Sequence, residues 1–452
     1  MTTAFLAEIQ AALGAPSGDL AIAGVGDLPS VFAVSDLAAA AVGAAGLAVA
    51  DLIDARGQGT PSVAVDRRLA SLWFGSTLRP DGWSQPPAWD PIAGDYAAAD
   101  GWIRLHTNAP HHRDAALSVL GVHADREAVA AAVSRWGIDA LESAVVAANG
   151  CAAAMRSLDE WAAHPQGIAT VQEPLVWTEA TGAAPALPDR PRDRPLAGIR
   201  VLDATRVLAG PVATRFLAGF GADVLRFDPP TWDEPGVLPE VTLGKRRARL
   251  DLRLPEGDVT FRRLLASADI FVHGYRPDAL ERLGFGVQER QRIRPGLVDV
   301  CLDAYGWSGP WASRRGFDSL VQMSTGIAAE GMRRSGAAKP VPLPVQAVDH
   351  ATGYLMAAAA IRGLTRRCLK GEGTRTRVSL ARTASLLTSA GSVESGKAFT
   401  PATGADYRSD IENTGWGPAW RLLAPLSVAG APMRWDVPAG PLGIDDAVWL
   451  DR

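Results

Sequence analysis

Two aspartates stand directly before long apolar segments that are typical of buried helices. Asp349 precedes His350 and the segment ATGYLMAAAAIRGL, and Asp36 precedes LAAAAVGAAGLAVADLI. A carboxylate at the start of a helix accepts hydrogen bonds from free backbone N–H groups, and the helix dipole keeps it ionised. An ionised carboxylate is also able to act as a nucleophile. From these residues alone, the favoured interpretation is that Asp349 caps the helix that begins near Ala351. Asp36 is interpreted as a cap or as a relic of a repeat.

The stretch that must position any such site covers residues 195–227. Ile199–Asp203 is a short, β-branched apolar run of the kind found in buried strands. A turn follows at Ala209–Pro211, then apolar residues at helical spacing over Val212–Gly219, then a second strand at Gly221–Phe227. Strand, helix and strand in this order predict a βαβ unit of a parallel sheet, with a ligand near the helix N-terminus. The stretch has no GxGxxG motif, so the residues alone leave the ligand open.

Six segments between Pro195 and about Ser389 follow the order of the motifs of CoA-transferase family III, the group of formyl-CoA transferase and carnitine CoA-transferase. They are PLAGIRVLDATRVLAGP with LAGFGADVLRFDPP, Lys245-Arg246 with LDL at 250–252, ADIFVHGYRP at 268–277, ERLG at 281–284, YGWSGP at 305–310 and RGFD at 315–318. The chain resembles this family. The resemblance implies an α/β fold, with a Rossmann-like parallel-sheet CoA-binding domain, a smaller α+β domain and long connecting segments.

The resemblance also implies an activity, which is acyl-CoA:carboxylate CoA transfer with Asp349 as the nucleophile. The carboxylate would attack the acyl-CoA thioester to give a mixed anhydride, and the returning CoA thiolate would form an aspartyl-CoA thioester. An acceptor carboxylate would repeat these steps in reverse. The partners implied are therefore small molecules, an acyl-CoA and a carboxylic acid. Capping and reaction are compatible, since a helix N-terminus favours the ionised nucleophile.

CoA binding is assigned by the same resemblance to seven residues: Val207, Ala209, Gly210, Lys245, Tyr275, Arg276 and Arg282. Lysine and arginine suit the phosphates of CoA, and an aromatic ring suits the adenine face. For any single one of these residues, a solvated charge or a core aromatic is a competing interpretation. His350 is predicted to have a structural role, because neighbouring side chains in a chain often point apart.

Composition excludes several classes of function. The 452 residues carry a formal net charge of −4, which favours neither nucleic acid nor an anionic membrane surface. The three cysteines, Cys151, Cys301 and Cys368, are too far apart for a metal motif or a disulfide framework, and they predict a reduced, cytoplasmic protein without a metal. Met1–Leu13 lacks the basic start of a signal peptide. Leu37–Ala50 is predicted to be too short and too weakly apolar to cross a bilayer.

Five segments are predicted along the chain. They are a helical partial repeat of the catalytic-aspartate region at 1–80, a small α+β domain at 90–175, a proline-rich linker at 176–195, the CoA-binding domain with Asp349 at 196–390, and a tail at 391–452 that packs back on the large domain. Within the small domain, a hairpin is predicted at 96–105 and helices at 113–120, 126–135 and 138–148. The repeat is indicated by spacing, because Asp36 and Asp349 lie 313 positions apart and Gly57 and Gly371 lie 314 apart.

Three other functions remain open. A racemase resembling α-methylacyl-CoA racemase needs a pair of bases, but that branch carries histidine in a GHDINY motif where this chain has Phe317. A non-catalytic CoA-thioester binder or scaffold is favoured by the lack of the family's glycine-rich loop and by the single nucleotide-binding half. A generic α/β nucleotide-binding protein requires the order of the motifs to be coincidence. Members of the family form intertwined homodimers, so the resemblance implies a homodimer.

Overall fold

The computed structural model of the protein describes residues 1–15, 18–187, 191–393 and 397–450. Its helices are α1 Thr2–Ala12, α2 Val34–Ala55, α3 Arg67–Trp73, α4 Pro110–Leu120, α5 Arg126–Val133, α6 Ile138–Ala147, α7 Leu158–Ala163, α8 Pro165–Gln172, α9 Ala209–Gly219, α10 Leu238–Val241, α11 Pro255–Ala266, α12 Ala279–Arg282, α13 Val287–Ile293, α14 Asp318–Ser324, α15 Ile327–Ser335, α16 Ala347–Lys370 and α17 Leu380–Ser389. Its strands are β1 Leu20–Ala23, β2 Val63–Asp66, β3 Leu78–Pro80, β4 Gly94–Ala97, β5 Trp102–Leu105, β6 Ala152–Ala154, β7 Trp177–Ala183, β8 Arg200–Ala204, β9 Asp223–Asp228, β10 Lys245–Arg249, β11 Ile270–His273, β12 Val298–Asp303, β13 Glu372–Ser379, β14 Tyr407–Thr414, β15 Gly417–Leu422 and β16 Leu426–Val428.

A seven-stranded sheet organises the larger part of the chain. Its order is β10-β9-β8-β11-β12-β13-β7, and every neighbouring pair is parallel except β13 with β7. Counted along the chain, the six parallel strands have the order 3-2-1-4-5-6 of a doubly wound α/β fold. The predicted βαβ unit is confirmed as β8, α9 and β9. Val201 and Leu202 are buried because helices cover both faces of such a sheet, which explains the continuous apolar run.

Helix α16 lies in the centre of the largest apolar core and packs on both α2 and α9. Its alanine-rich sequence allows this close packing, because small side chains let helix axes approach. Gly353 is the clearest case: a Cβ atom there would lie 2.4 Å from the carbonyl oxygen of Ala209. The apolar composition of α16 therefore reflects contacts on several sides, and these contacts fix the helix that carries Asp349.

Two parts of the chain repeat one arrangement. Asp36 is the third residue of α2 and Asp349 the third of α16, and the residues before these helices, Ala33 and Gln346, have φ/ψ of −75°/56° and −76°/63°. In the three-stranded sheet β1-β2-β16, the central strand has one parallel and one antiparallel neighbour, as β13 has between β12 and β7. The first copy thus retains three strands where the second has seven.

The registers of the two copies also agree. Ala64 pairs with Ala21 and Ser427, and Arg377, 313 positions later, pairs with Cys301 and Trp177. After the equivalent strands β1 and β12, Gly26 and Gly306 adopt left-handed φ values of 107° and 113°. Glycine reaches such angles at little cost, so the same bend follows both strands. These pairings support the internal repeat that the spacing of the aspartates indicated.

The small α+β unit consists of the antiparallel sheet β4-β5-β6 and helices α4, α5 and α6. The hairpin predicted at 96–105 and the helices predicted at 113–120, 126–135 and 138–148 all occur, with ends shifted by up to three residues. Arg314, from a loop of the large unit, is buried against this unit: its guanidinium donates to the Ala152 carbonyl at 2.9 Å and lies 3.0 Å from Glu142. The loop before α14 is thereby fixed against the small unit.

The predicted linker at 176–195 begins too early. Residues 177–183 form β7, the antiparallel edge strand of the seven-stranded sheet, where Thr178 pairs with Thr376. Its burial pattern shows one face exposed, and the sequence therefore lacks the continuous apolar run that marks the inner strands. Residues 188–190 of the predicted linker lie outside the described residues.

The tail contacts both halves of the chain. Trp435 and Trp449 donate indole hydrogen bonds to carbonyl groups of the large unit, of Arg215 at 2.8 Å and of Leu264 at 3.0 Å. Strand β16 adds to β2 and β15 adds to β3, which places the tail in the sheets of the first copy as well. Residues 394–396 and 451–452 of this segment lie outside the described residues.

Helix α2 is longer than the apolar run from which its membrane potential was judged. It has 22 residues and is long and apolar enough to cross a bilayer, which corrects the prediction that this segment is too short. In the structure, 89% of its apolar window is buried inside the protein. Packing against α1, α3 and α16 accounts for this composition, as is usual for a central core helix.

Candidate active site

A cavity of about 480 Å³ opens at the carboxyl ends of the parallel strands. Residues that directly follow four of these strands line it: Arg206–Ala209 after β8, Pro229 and Trp232 after β9, Gly274–Arg276 after β11, and Ala304 after β12. The order of the sheet reverses between β8 and β11, and open α/β sheets bind ligands in the crevice at such a switch point. Helix α4, the loop at 314–317 and Asp349 complete the wall.

Of the eight residues predicted for the site, five line this cavity. They are Val207, Ala209, Tyr275, Arg276 and Asp349. Gly210 faces the interior instead: a Cβ atom there would lie 2.4 Å from the Thr205 side chain, so this glycine allows α9 to pack closely on the end of β8. Its predicted contact with CoA is replaced by a packing role.

Lys245 and Arg282 do not reach the cavity. The Lys245 ammonium has no exposed surface and donates to Asp203 Oδ2 at 3.0 Å and to the Pro211 carbonyl at 2.9 Å. Arg282 is 58% exposed on α12 and pairs with Asp278 one turn earlier. Neither side chain therefore lines the described cavity: Lys245 neutralises a buried carboxylate, and Arg282 belongs to a solvated ion pair.

The turn after β8 is strained at Val207. This residue has φ of +64°, an unfavourable backbone conformation for a β-branched side chain that costs about 1–3 kcal/mol. Its N–H group donates to Glu234 Oε2 at 2.9 Å, which holds the turn in place. Arg206, directly before it, lines the cavity, lies 3.5 Å from Asp228 and stacks over Trp232 at 4.6 Å. The turn therefore presents a positively charged group at the mouth of the crevice.

Asp349 does not cap its own helix. Helix α16 begins at Ala347, three residues earlier than a cap at 349 would allow, so Asp349 lies in the first turn. In the described part of the chain, no group donates a hydrogen bond to its carboxylate. The side chain is buried, at 7% exposure, yet lines the cavity. The capping interpretation is wrong here, and the carboxylate is left available to a ligand.

Asp318 holds Asp349 in position and raises its pKa. The backbone N–H of Asp349 donates to Asp318 Oδ2 at 2.8 Å, and the Gln322 amide donates to the other oxygen of Asp318. Burial raises the pKa of Asp318 to about 6. Burial and the neighbouring Asp318 charge raise the pKa of Asp349 well above its usual value. Two buried carboxyl groups this close titrate as a pair, so one proton is retained at neutral pH more readily than by an exposed aspartate.

Asp36, the counterpart of Asp349 in the first copy, is fully engaged in structure. Its carboxylate accepts hydrogen bonds from the N–H and the hydroxyl of Thr2, the first residue of α1, and thereby caps that helix. It also accepts a hydrogen bond from Arg67 at 3.2 Å. Burial opposes ionisation, but Thr2 and Arg67 together lower the pKa of Asp36. As for α16, α2 begins before the aspartate, at Val34, so the predicted cap of its own helix is wrong and the cap belongs to α1.

His350 is buried away from the cavity. Its ring stacks on Phe74 with centroids 5.1 Å apart, and burial lowers its pKa well below the usual value. This placement agrees with the structural role predicted for it.

Sequence reasoning missed four residues that line the cavity, Arg206, Arg315, His111 and His112, and it missed Asp318, which holds Asp349 in position. Arg206, Arg315 and Asp318 lie within the quoted motifs RVLAGP and RGFD, so the motifs themselves held the signal. His111 and His112 begin α4 of the small unit, and only the packing of that unit over the sheet brings them to the cavity.

A second cavity of about 210 Å³ adjoins the first and shares Val207, Trp232 and Phe317 with it. His106 and Phe317 stack there with ring centroids 3.8 Å apart. This aromatic extension gives a bound molecule room beyond the Asp349 region.

One buried group of ligand-type atoms lies beneath the site. His273, Asp299 and Cys301 bring one potential metal-binding atom each within 4.8 Å of one another. Arg290 Nη2 lies 2.6 Å from Asp299, so a guanidinium already compensates this carboxylate. A further cation would be repelled, and the pair explains why the pKa of Asp299 is low despite burial.

The fold and site define a class: an α/β protein with a doubly wound sheet, whose ligand cavity at the switch point contains a buried carboxyl pair. Residues 196–413 match the model of CoA-transferase family III. The similarity to this family covers just under half of the chain.

Curated relatives match over part of their length. An acetyl-coenzyme A transferase, nodX, of Hypoxylon pulicicidum is 35% identical over 214 residues, covering 46% of this chain and 35% of that protein. The succinyl-CoA:glutarate CoA-transferase of Mus musculus is 32% identical over 193 residues, covering 40% and 44%. The chain thus spans about a third to a half of the length of these relatives. The crystal structure of Rv3272 from Mycobacterium tuberculosis is 31% identical, covers 44% of this chain and 58% of that one, and has a TM-score of 0.40.

Proposed function

We propose that the protein is an acyl-CoA:carboxylate CoA transferase in which Asp349 is the nucleophile. The observation that carries this function is the Asp349 carboxylate itself, buried at the wall of the cavity and without a hydrogen-bond donor among the described residues. A structural carboxylate at that depth would have a partner, as Asp36 has. The relatives' names, which describe acetyl-CoA and succinyl-CoA:glutarate transfer, support the same reaction class.

The reaction would follow the route that a carboxylate nucleophile allows. Asp349 attacks the thioester carbonyl, the C–S bond breaks, and a mixed anhydride remains on the protein. The CoA thiolate then attacks the aspartyl carbonyl, releases the acyl group as a carboxylate and leaves an aspartyl-CoA thioester. An acceptor acid reverses these steps. The protein contributes orientation, exclusion of water and positive charge, from Arg206, Arg276 and Arg315, for the phosphates of CoA.

Intact-protein mass spectrometry tests this function. The protein is incubated with acetyl-CoA, succinyl-CoA and formyl-CoA separately, and half of each sample is treated with hydroxylamine. We expect a CoA adduct on the peptide that contains Asp349, removed by hydroxylamine. If calorimetry shows CoA binding but no thioester gives an adduct, the non-catalytic binder becomes the better account. If CoA does not bind, the function fails.

Replacing Arg276 with alanine is expected to weaken CoA binding by about tenfold, the worth of one charge-assisted contact to phosphate. Arg276 lines the cavity, and its guanidinium makes no hydrogen bond or ion pair with any residue that the structure describes, so it is available to the ligand. Isothermal calorimetry with CoA measures the change. Arg282→Ala is the matched control, because the Arg282 side chain is exposed and forms an ion pair with Asp278. The CoA affinity of this variant should stay within twofold of the normal protein. Equal losses in both variants would restore the original assignment of Arg282.

Asp318→Asn is expected to move the pH profile of adduct formation to lower pH. The negative charge of Asp318 is one cause of the raised pKa of Asp349, so removing it lowers that pKa and increases the ionised fraction at a given pH. Asparagine retains an oxygen to accept the Asp349 N–H. The measurement is the rate of adduct formation between pH 5 and 8. An unchanged midpoint would show that the carboxyl pair does not control the nucleophile.

We also propose that the protein acts as a cytoplasmic homodimer, without a metal and without membrane attachment. Light scattering coupled to gel filtration measures the dimer directly, as twice the mass of the chain. Metal analysis of the purified protein measures its metal content. If an ion is found, the buried group of His273, Asp299 and Cys301 is the first place to look for it.

A further inference from the structure

His112 is a buried histidine without a partner at the wall of the Asp349 cavity. Its side chain is 4% exposed, and neither ring nitrogen makes a hydrogen bond with any residue that the structure describes. A buried polar group without a partner costs about 1–3 kcal/mol, and native proteins rarely retain one. The ring lines the same cavity as Asp349, so a bound molecule is the natural source of the missing partner.

The position of His112 is set by the loop that also sets Asp349. The His112 ring packs edge-on against Phe317, with centroids 5.9 Å apart and planes at 66°. The next residue, Asp318, accepts the backbone N–H of Asp349 at 2.8 Å. Arg314, in the same loop, is fixed to the small unit through Glu142. One short loop therefore places the imidazole and the nucleophile on two sides of one space.

The imidazole is neutral at physiological pH. Burial, the adjacent His111 and the Arg315 guanidinium all disfavour its protonation and lower its pKa to about 3. A neutral imidazole has one N–H donor and one acceptor nitrogen. It can donate a hydrogen bond to a developing oxyanion without itself being an acid strong enough to protonate the nucleophile.

Resting on the proposed function, we propose that His112 is a catalytic residue that donates an N–H hydrogen bond to the thioester carbonyl oxygen while Asp349 attacks. As the new C–O bond forms, the carbonyl π electrons move to oxygen, and the hydrogen bond stabilises that negative charge. The oxyanion collapses, the C–S bond breaks, and CoA leaves as thiolate. No proton leaves His112 in this step. Both ring nitrogens are inaccessible to solvent in the structure, so this role requires the side chain to turn toward the substrate when it binds.

The test compares His112→Ala and His112→Gln with the unmodified protein, using whichever of acetyl-CoA and succinyl-CoA labels it faster. We expect the alanine variant to form the adduct about 10²–10³-fold more slowly, the usual loss for one oxyanion donor. CoA affinity by calorimetry should change less than threefold. Glutamine keeps an amide N–H and should recover at least a tenth of the rate. The loss should be constant from pH 6 to 8, because a neutral donor does not titrate there. Exposed His123, which lies outside the cavity lining, supplies the control His123→Ala.

Three outcomes overturn this role, and a fourth removes its basis. An alanine variant within threefold of the normal rate shows that the ring is not needed. A parallel loss of CoA affinity and rate in both variants shows a structural role. If the rate of adduct formation in the unmodified protein falls at acidic pH, and this fall is absent from the His112 variants, then His112 transfers a proton and does not act as a hydrogen-bond donor alone. Absence of any adduct from the unmodified protein removes the proposed function itself, and with it this role. If the alanine variant does not fold, the glutamine variant decides.

Discussion

Asp349→Asn is expected to slow covalent adduct formation and CoA transfer by about 10³-fold or more, the scale of loss when a nucleophile is removed. Asparagine has nearly the same shape, so CoA should still bind. The variant should also be at least as stable as the normal protein, because burial and Asp318 already disfavour the Asp349 charge, and a neutral amide ends that repulsion. Adduct formation by mass spectrometry, CoA calorimetry and thermal unfolding measure the three quantities on one sample.

The internal repeat supplies the matched control. Asp36→Asn makes the same chemical change at the same helix position, but there the carboxylate caps α1 and pairs with Arg67. We expect transfer within about twofold of normal and a lower free energy of unfolding, by about 1–2 kcal/mol for the lost charged hydrogen bonds. Asp349→Asn should therefore lose transfer activity but keep its stability, whereas Asp36→Asn should keep transfer activity but lose stability. Retained transfer in Asp349→Asn, or its loss in Asp36→Asn, would contradict the assignment of the nucleophile.

Lys245→Met is expected to lower the free energy of unfolding by about 3–5 kcal/mol, the cost of leaving a buried charge without its partner. Neither Lys245 nor Asp203 has exposed surface, and Lys245 is the cation nearest the Asp203 carboxylate, whose other partners are the hydroxyls of Thr205 and Thr214 and the Thr205 N–H. Such a loss is a large share of the usual 5–15 kcal/mol. Denaturant unfolding measures it. CoA affinity of the folded fraction should be unchanged, because the ammonium does not line the cavity.

A double variant distinguishes the two possible roles of Lys245, which are neutralisation of the Asp203 charge and contact with the phosphates of CoA. Adding Asp203→Asn to Lys245→Met removes both charges, so part of the lost stability should return. If Lys245→Met instead unfolds like the normal protein and binds CoA at least tenfold more weakly, the ammonium reaches the phosphates in solution, and the contact implied by the family resemblance is restored.

Local patterns predicted several of the elements. The apolar run at 199–203, the helical spacing after Pro211 and the hairpin at 96–105 each encode their own secondary structure, because a strand or helix depends on residues close in sequence. Where a strand departs from its usual pattern, prediction failed: β7 has an exposed face and was assigned to a linker. The starts of α2 and α16 were placed too late, since both helices begin without a side chain that caps them.

The candidate site was predicted only in part, for the same reason. Asp349 and Arg276 were both identified through the resemblance of ordered segments to family motifs. The contacts of each side chain could not be predicted from the sequence, because the partners lie far apart along the chain. Lys245 and Asp203 are 42 positions apart, and Asp318 and Asp349 are 31 apart.

The sequence by itself determined the α/β class, the internal repeat, the family whose model residues 196–413 match, and the aspartate to be mutated first. Each of these follows from periodicity, spacing or motif order, which are properties of the chain alone. Only the tertiary structure decided which of the two repeated aspartates is free. Thr2 and Arg67 engage Asp36, whereas Asp349 faces a cavity that α4 and the switch point enclose. Hydrogen bonding and burial depend on which residues are neighbours in space, and local sequence patterns do not show which distant residues become neighbours.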